Sequence, residues 1–348
     1  LWVHESINGS TWQVTDNDLD GGMGLPWSLT VLGERVYFVD GYNGTGMWVH
    51  DRSNESTWQL FPYGTRTMFE TQGTKIFFYT HTTESYTAEF WVHETTNDSS
   101  WKLFDDVLCA WPKIIDTRIY CKGYLADDHD NMQLWIYDTT NQSIWQATNI
   151  NSNGSWPSGF FSMGGVGLES ELIEIGTRLF FNGNDGIHGV ELWAYETTND
   201  STWLVKDINN GSVSGLHRTG ENMVAVGTQL YFSAYESTGN GFTTIESFGL
   251  YVHETNNGST WKVADLVDRV VSLNLFGSLL IFESDGTLTV HDTVGNYTWE
   301  IIESPDLRNW QHTNGIFVVD DLIYFSGYDS DLGTGLYMME IEHAISYN

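Results

Sequence analysis

Among 348 residues only 14 are Lys or Arg, against 46 Asp or Glu, and the formal charge is −32 at pH 7. That balance disfavours nucleic acid and anionic membrane surfaces as partners; it leaves solubility, cation binding or a salty or extracellular medium, where screening relieves self-repulsion. Aromatic residues make up 15% of the chain, with 16 Trp and 17 Tyr, which favours wide sheet-to-sheet packing over tight helical cores.

The first predicted element is Leu1-Trp2-Val3-His4-Glu5 followed by Asn8-Gly9-Ser10-Thr11-Trp12, and the same text reopens at Met47, Phe90, Leu134, Leu192, Leu250, Leu288 and Leu336. The intervals are 46, 43, 44, 58, 58, 38 and 48 residues, a period that belongs to propellers and solenoids. Four residues after each opening stands an acid: Glu5, Asp51, Glu94, Asp138, Glu196, Glu254, Asp292 and Glu340. Eleven residues after it stands an aromatic: Trp12, Trp58, Trp101, Trp145, Trp203, Trp261, Trp299 and Tyr347. Each copy reads as two strands, C and D, joined by an Asn-containing turn. Strand D alternates, as in Thr57-Trp58-Gln59-Leu60, which marks a half-buried strand, whereas strand C is apolar on both faces.

Between hairpins runs a second unit, strands A and B, ending in Val36-Tyr37-Phe38, Ile76-Phe77-Phe78, Ile119-Tyr120-Cys121, Leu179-Phe180-Phe181, Leu230-Tyr231-Phe232, Leu280-Ile281-Phe282 and Ile323-Tyr324-Phe325. With A and B apolar on both faces and D alternating, burial is expected to fall from A outward to D, the grading of a propeller blade. No stretch sustains helical i, i+3, i+4 apolar spacing over three turns. Eight C–D hairpins and seven A–B units make thirty strands. The expectation is an all-β propeller, one domain over 1–348, with seven four-stranded blades plus a surplus hairpin; the alternative is eight blades, one incomplete.

The loops carry the candidate sites. Asn-x-Ser/Thr acceptors stand at Asn8, Asn43, Asn54, Asn97, Asn141, Asn153, Asn199, Asn210, Asn257 and Asn296, and N-linked glycans are expected there, although Asn, Ser and Thr are also good turn residues. Asn8, Asn54, Asn97, Asn141, Asn199, Asn257 and Asn296 fall in C–D turns, so they should line one edge, with Asn43, Asn153 and Asn210 in the opposite loops. Asp16-Asn17-Asp18-Leu19-Asp20-Gly21 has the opening spacing of a calcium loop, and a calcium ion is expected at Asp16, Asp18 and Asp20. The twelfth position of that loop is Trp27 instead of Glu, so it is not a helix-flanked calcium loop. Looser oxygen-rich groups occur at Asp127, Asp128 and Asp130, at Asn182, Asn184 and Asp185, and at Asp329 and Asp331. Cys109 and Cys121, at either end of the third A–B unit, are expected to form a disulfide. The recurring His4, His50, His93, His253 and His291 give way to Tyr137 and Tyr195 in two copies, a swap no metal or catalytic role tolerates; they are expected to be hydrogen-bonded core residues.

One copy carries a resemblance. Gly176-Thr177-Arg178-Leu179-Phe180-Phe181, Asn184-Asp185-Gly186, Gly189, Glu191-Leu192-Trp193, Val205-Lys206-Asp207-Ile208-Asn209 and Gly211-Ser212 resemble the Glu-Leu-Trp repeat of propellers in large microbial surface and secreted proteins. The match is specific over this one repeat and looser over the rest, and Glu-Thr-Thr-Asn replaces the family's Asp-Gly-Thr in the hairpin. The resemblance implies a propeller and a surface location and supplies no catalytic residue. Ser6, Asn8, Gly9, Thr11 and Trp12 are similar, more weakly, to the structural Asp-box of sialidases, whose chemistry needs three converging Arg.

No apolar run approaches the length that crosses a bilayer, and the start without Met or signal peptide reads as a mature or trimmed form. These features together imply an extracellular, glycosylated structural protein, not an enzyme, that assembles with copies of itself into a filament, tube or layer. Leu1 to Val14 or Leu336 to Asn348 is expected to dock on a neighbouring subunit, because two C strands compete for one vacant place. The alternative is a lectin or calcium-dependent adhesin; a glycoside hydrolase, which needs a converging pair of carboxylates, is the third reading.

Overall fold

A computed structural model describes residues 2–5, 10–14, 27–40, 46–61, 70–81, 88–104, 107–125, 131–150, 164–166, 172–216, 223–237, 245–301, 316–319, 322–329 and 333–340. These residues contain strands and turns and no helix. They belong to two compact units, Leu1–Asn149 and Ile150–Asn348.

In the first unit β1 (Trp2–Glu5) pairs with β2 (Ser10–Gln13). A four-stranded sheet follows from β3 (Trp27–Leu32), β4 (Arg35–Asp40), β5 (Gly46–Asp51) and β6 (Ser56–Phe61). The next is β7 (Glu70–Gln72), β8 (Lys75–His81), β9 (Ala88–Glu94) and β10 (Ser99–Phe104). The third is β11 (Val107–Ile115), β12 (Arg118–Leu125), β13 (Asn131–Asp138) and β14 (Ser143–Gln146), paired in that order.

In the second unit the fourth sheet has β15 (Gly164–Val166) and β16 (Ile173–Ile175) both on β17 (Arg178–Asn184), then β18 (Val190–Glu196) and β19 (Ser201–Lys206). The fifth is β20 (Met223–Val226), β21 (Gln229–Ser237), β22 (Ile245–Glu254) and β23 (Ser259–Leu266). The sixth is β24 (Val270–Phe276), β25 (Leu279–Ser284), β26 (Thr287–Asp292) and β27 (Tyr297–Glu300). The seventh has β28 (Ile316–Val319), β29 (Leu322–Asp329) and β30 (Gly333–Glu340). Every pairing is antiparallel, and the fold is a β-propeller. Thirty strands are described, the expected number, but one A strand is split into β15 and β16 and the last D strand would fall in 341–348, outside the described residues.

Within each unit apolar side chains fill the space between successive sheets. Tyr37, Met47 and Val49 of the first sheet pack on Ile76 and Phe78 of the second. Phe90, Val92 and Phe104 pack on Cys109, Cys121, Trp135 and Tyr137 of the third. In the second unit Phe180 and Leu192 meet Leu230 and Phe232, and the A strands pack in series, β16 on β20, β20 on β24 and β24 on β28. Burial does not fall steadily from A to D. It peaks on strands B and C, as in β17 and β18, whereas A strands are half-open: Leu29 and Val31 are exposed and all of β20 is half-buried. Strand A is an edge strand of its sheet, so its apolar residues are covered from fewer sides. Cys109 of β11 and Cys121 of β12 form a disulfide, with Cα atoms 5.6 Å apart, inside the apolar layer.

The repeated hairpin residues build the C–D turns. The acid closing strand C caps its own turn: Asp51 Oδ1 accepts the Ser53 amide at 2.9 Å, and Glu94, Asp138 and Asp292 do the same two residues on. His50, His93, His253 and His291 are buried, and each ring Nδ1 lies 2.8–2.9 Å from the Thr57, Ser100, Thr260 or Thr298 hydroxyl directly across strand D. Burial lowers the pKa of His93, His253 and His291, so these rings are neutral at pH 7.

The first residue of strand B in three sheets is Arg, and each faces its sheet's acid in register. Arg35 lies 3.3 Å from Asp51 and Arg178 3.4 Å from Glu196, with Arg118 further off at 3.9 Å from Asp138. Each guanidinium also lies over a strand-D indole, 5.3 Å from Trp58, 5.5 Å from Trp145 and 5.7 Å from Trp203. Arg35 reaches on to Asp98 at 2.6 Å and Arg178 to the Thr255 carbonyl at 2.8 Å, in the C–D turn of the next sheet. Arg35 and Arg178 thus each serve their own sheet and the seam beside it. Arg178→Ala is expected to cost about 1–2 kcal/mol through the lost cation–π contact and hydrogen bonds. Arg178→Lys should recover little, because an ammonium lacks the planar fork; urea melts of the three proteins check this.

Candidate functional site

The opposite edge, where B–C and D–A loops emerge, carries a connected polar group in the fourth and fifth sheets. In the fourth sheet, Asn184 at the end of β17 accepts the Gly186 amide at 2.8 Å, and Asp185 Oδ1 accepts the Ile187 and His188 amides at 2.9 and 2.8 Å. Those two amides fix Asp185 so that its Oδ2 meets His188 Nδ1 at 2.7 Å. The bond raises the His188 pKa, and its ring is about one-third exposed. With Nδ1 held by a carboxylate, Nε2 is the nitrogen open to a ligand.

Glu191, at the start of β18, is fully buried and joins this loop to the D–A loop. Its Oε2 accepts the Ile208 amide at 3.0 Å, while Oε1 has no hydrogen-bond partner. Desolvation pushes its pKa up to about 8; the Ile208, Asn209 and Gly215 amides pull against this, and the charge of Asp207 adds to it. Glu191 is therefore mainly a neutral carboxylic acid at pH 7. Asp207 Oδ1 is likewise buried without a partner.

Asn209 ties the same loop to the fifth sheet, donating to the Ser214 and Tyr235 carbonyls at 2.6 and 3.0 Å and accepting the Ser237 amide at 3.0 Å. Beside it Tyr251 donates to Glu236 at 2.8 Å, and Lys262 pairs with Glu236 at 3.2 Å and Asp265 at 2.9 Å. Two glycines are dictated by this packing. Gly189 has φ +74° and a Cβ there would lie 2.7 Å from the Ser214 nitrogen; a Cβ on Gly215 would lie 2.7 and 2.8 Å from the Glu191 carboxyl oxygens. The residues of the Glu-Leu-Trp resemblance in this copy are thus a lock between two loops.

Of the expected sites, Asp16, Asp18 and Asp20 lie outside the described residues, as do Asn8, Asn43 and Asn153 and the group Asp127, Asp128 and Asp130. Asn184 and Asp185 cap their own turn, and among the described residues no group of three His, Cys, Asp or Glu is placed to hold a metal. Asn54, Asn97, Asn141, Asn199, Asn257 and Asn296 lie exposed in C–D turns, and Asn210 is exposed in the D–A loop. Sequence reasoning missed His188, which stands off the repeat position. The signal available was the 58-residue interval around it, which marks inserted loop.

No protein-family model matches the chain, and no curated protein matches its sequence. Solved structures do match in fold. The β-propeller domain of the Trilobed protease from Pyrococcus furiosus, of open velcro topology, aligns with TM-score 0.51 and 13% identity over 92% of this chain and 97% of that one. Oligogalacturonate lyase from Vibrio parahaemolyticus aligns with TM-score 0.51 and 12% identity over 98% and 96%. A puromycin-hydrolyzing peptidase of Mycobacterium tuberculosis aligns with TM-score 0.55 and 11% identity over 91% of this chain and 52% of that one. At such identity the likeness shows the fold alone. It nonetheless corrects the expectation that the chain is not an enzyme, because a lyase and peptidases stand among the structures built this way. Chemistry on a shared fold resides in side chains grafted onto loops, so a missing sequence motif excluded nothing.

Proposed function

We propose that this chain is an extracellular, N-glycosylated propeller that binds an external ligand at the loop edge of its fourth and fifth sheets and acts on it by acid–base chemistry. The observation that carries the reading is the Asp185–His188 pair at 2.7 Å, a base with its orienting carboxylate whose ring is about one-third exposed, three residues before the buried Glu191 carboxyl that stays mainly protonated at pH 7. The charge of −32 and the carboxylates at Asp185, Asp207, Glu236 and Asp265 favour a neutral or cationic ligand, and a carbohydrate supplies hydroxyls that suit them. The extracellular setting is supported by the disulfide and by the exposed acceptor asparagines. Calcium at Asp16, Asp18 and Asp20 belongs to the same proposal.

The test is to incubate the protein with neutral and cationic oligosaccharides, following binding by calorimetry and products by mass spectrometry. His188→Gln is expected to abolish turnover, and binding should weaken as pH falls through the His188 pKa. Undiminished binding and turnover in that variant, or neither process in the parent protein, would reject the site.

A further inference from the structure

Five strand-D tryptophans, in the first five four-stranded sheets, fall into two groups. Trp58, Trp145 and Trp203 are half-buried, each with an Arg guanidinium over its ring. Trp101 and Trp261 are each 40% exposed. Their sheets carry Lys75 and Gln229 at the position of that Arg, facing Glu94 and Glu254 in register. No ring or cation covers either indole among the described residues. Trp101 and Trp261 therefore stand bare, as does Trp12 at 46% exposed, where three other copies supply an Arg lid.

Trp101 and Trp261 both stand at the same offset from an acceptor asparagine. Asn97 Oδ1 accepts the Ser99 amide at 3.1 Å and its hydroxyl at 2.6 Å; Asn257 Oδ1 accepts the Ser259 amide at 2.9 Å and its hydroxyl at 2.6 Å. These bonds occupy the carboxamide oxygen and leave Nδ2, the atom that carries an N-linked sugar, without a partner among the described residues. They also hold the carboxamide against the serine. Residues two apart on a strand share a face about 7 Å apart, roughly one sugar ring, so Ser99 and Trp101 present one surface, and Ser259 and Trp261 another. Ser100 and Thr260, between them, face the opposite way and bond His93 and His253.

We infer that Trp101 and Trp261 are stacking platforms for the first sugars of the glycans on Asn97 and Asn257. The apolar C–H face of a pyranose covers an indole as Arg covers Trp58 and Trp203, and the hydroxyl edge stays in water. Glycans on Asn54, Asn141 and Asn199 meet indoles already covered by Arg35, Arg118 and Arg178 and remain free of the protein. This inference rests on the glycosylation part of the proposal above.

The experiment compares protein made in a glycosylating and a non-glycosylating host, with occupancy of each asparagine mapped by peptide mass spectrometry. Trp101→Ala and Trp261→Ala should each lower the melting temperature by several degrees more in the glycosylated protein than in the bare one. Trp58→Ala and Trp203→Ala should lower both forms equally. Equal losses in both forms for all four variants, with Asn97 and Asn257 occupied, would overturn the platform and leave glycosylation standing. Asn97 and Asn257 found unoccupied would overturn the glycosylation reading and the platform with it.

Discussion

Glutamine in place of Glu191 is expected to stabilise the protein by about 3 kcal/mol at pH 7. The fully buried carboxyl has its pKa pushed from the usual 4.5 up to about 8, so between those values the folded chain must hold a proton that the unfolded chain has released. Each pH unit in that window costs about 1.4 kcal/mol of stability. The sign is opposite to that of an ordinary ion-paired carboxylate: this contribution is harmless below pH 4.5 and grows as pH rises towards 8. Asp51, Glu94, Asp138, Glu196, Glu254 and Asp292 have lowered pKa values, so their stabilisation is present above the normal carboxylate range and lost as pH falls below it. Parent and variant share those groups, and the difference between them isolates Glu191. Glutamine keeps the oxygen that accepts the Ile208 amide, and the third sheet already places Gln133 at the matching position, fully buried and bonded to Thr148 at 2.8 Å. Urea melts at pH 4.5, 7 and 8.5 should show curves that meet at the lowest pH and separate above it. Parallel pH dependence in the two proteins would show that Glu191 ionises normally.

Alanine at Gly215 should destabilise by about 3 kcal/mol, the upper end of what overpacking costs. The added methyl would lie 2.7 and 2.8 Å from the Glu191 oxygens and against Ile208. Escape is blocked on both sides, since the Gly215 amide donates to the Val190 carbonyl at 3.1 Å and its own carbonyl accepts the Tyr235 amide at 2.9 Å. The backbone angle is not the problem here, so alanine fails by volume alone. Melting temperature with and without Glu191→Ala in the same chain checks the mechanism, because shortening that side chain should relieve part of the clash. A Gly215→Ala protein as stable as its parent would mean the two loops are not locked as described.

The hairpins were legible because everything that specifies them is local. An acid caps the amide two residues on, Asn caps the next turn position, and His meets a hydroxyl seven residues away, all within one copy; repetition then displayed the acid eight times and the His five times. The candidate site was partly legible: Asn184, Asp185, Gly189, Glu191, Asp207 and Asn209 stood out by resemblance, but their partnership did not. Nothing in the residue letters says that Glu191 receives the Ile208 amide 17 residues away or that His188 leans on Asp185.

The sequence by itself determined the repeat, the strand polarity, the turn residues and the β-propeller class, since these follow from periodic contacts between near neighbours. Only the tertiary structure decided where burial peaks, because strand A has apolar residues on both faces yet gains cover according to which sheets flank it. It alone showed Arg178 bonding Thr255 in the next sheet, Gly215 wedged on a carboxyl, and a glutamate kept neutral by burial. Each of these depends on desolvation and on groups distant in the chain, quantities that no residue carries until the sheets have stacked.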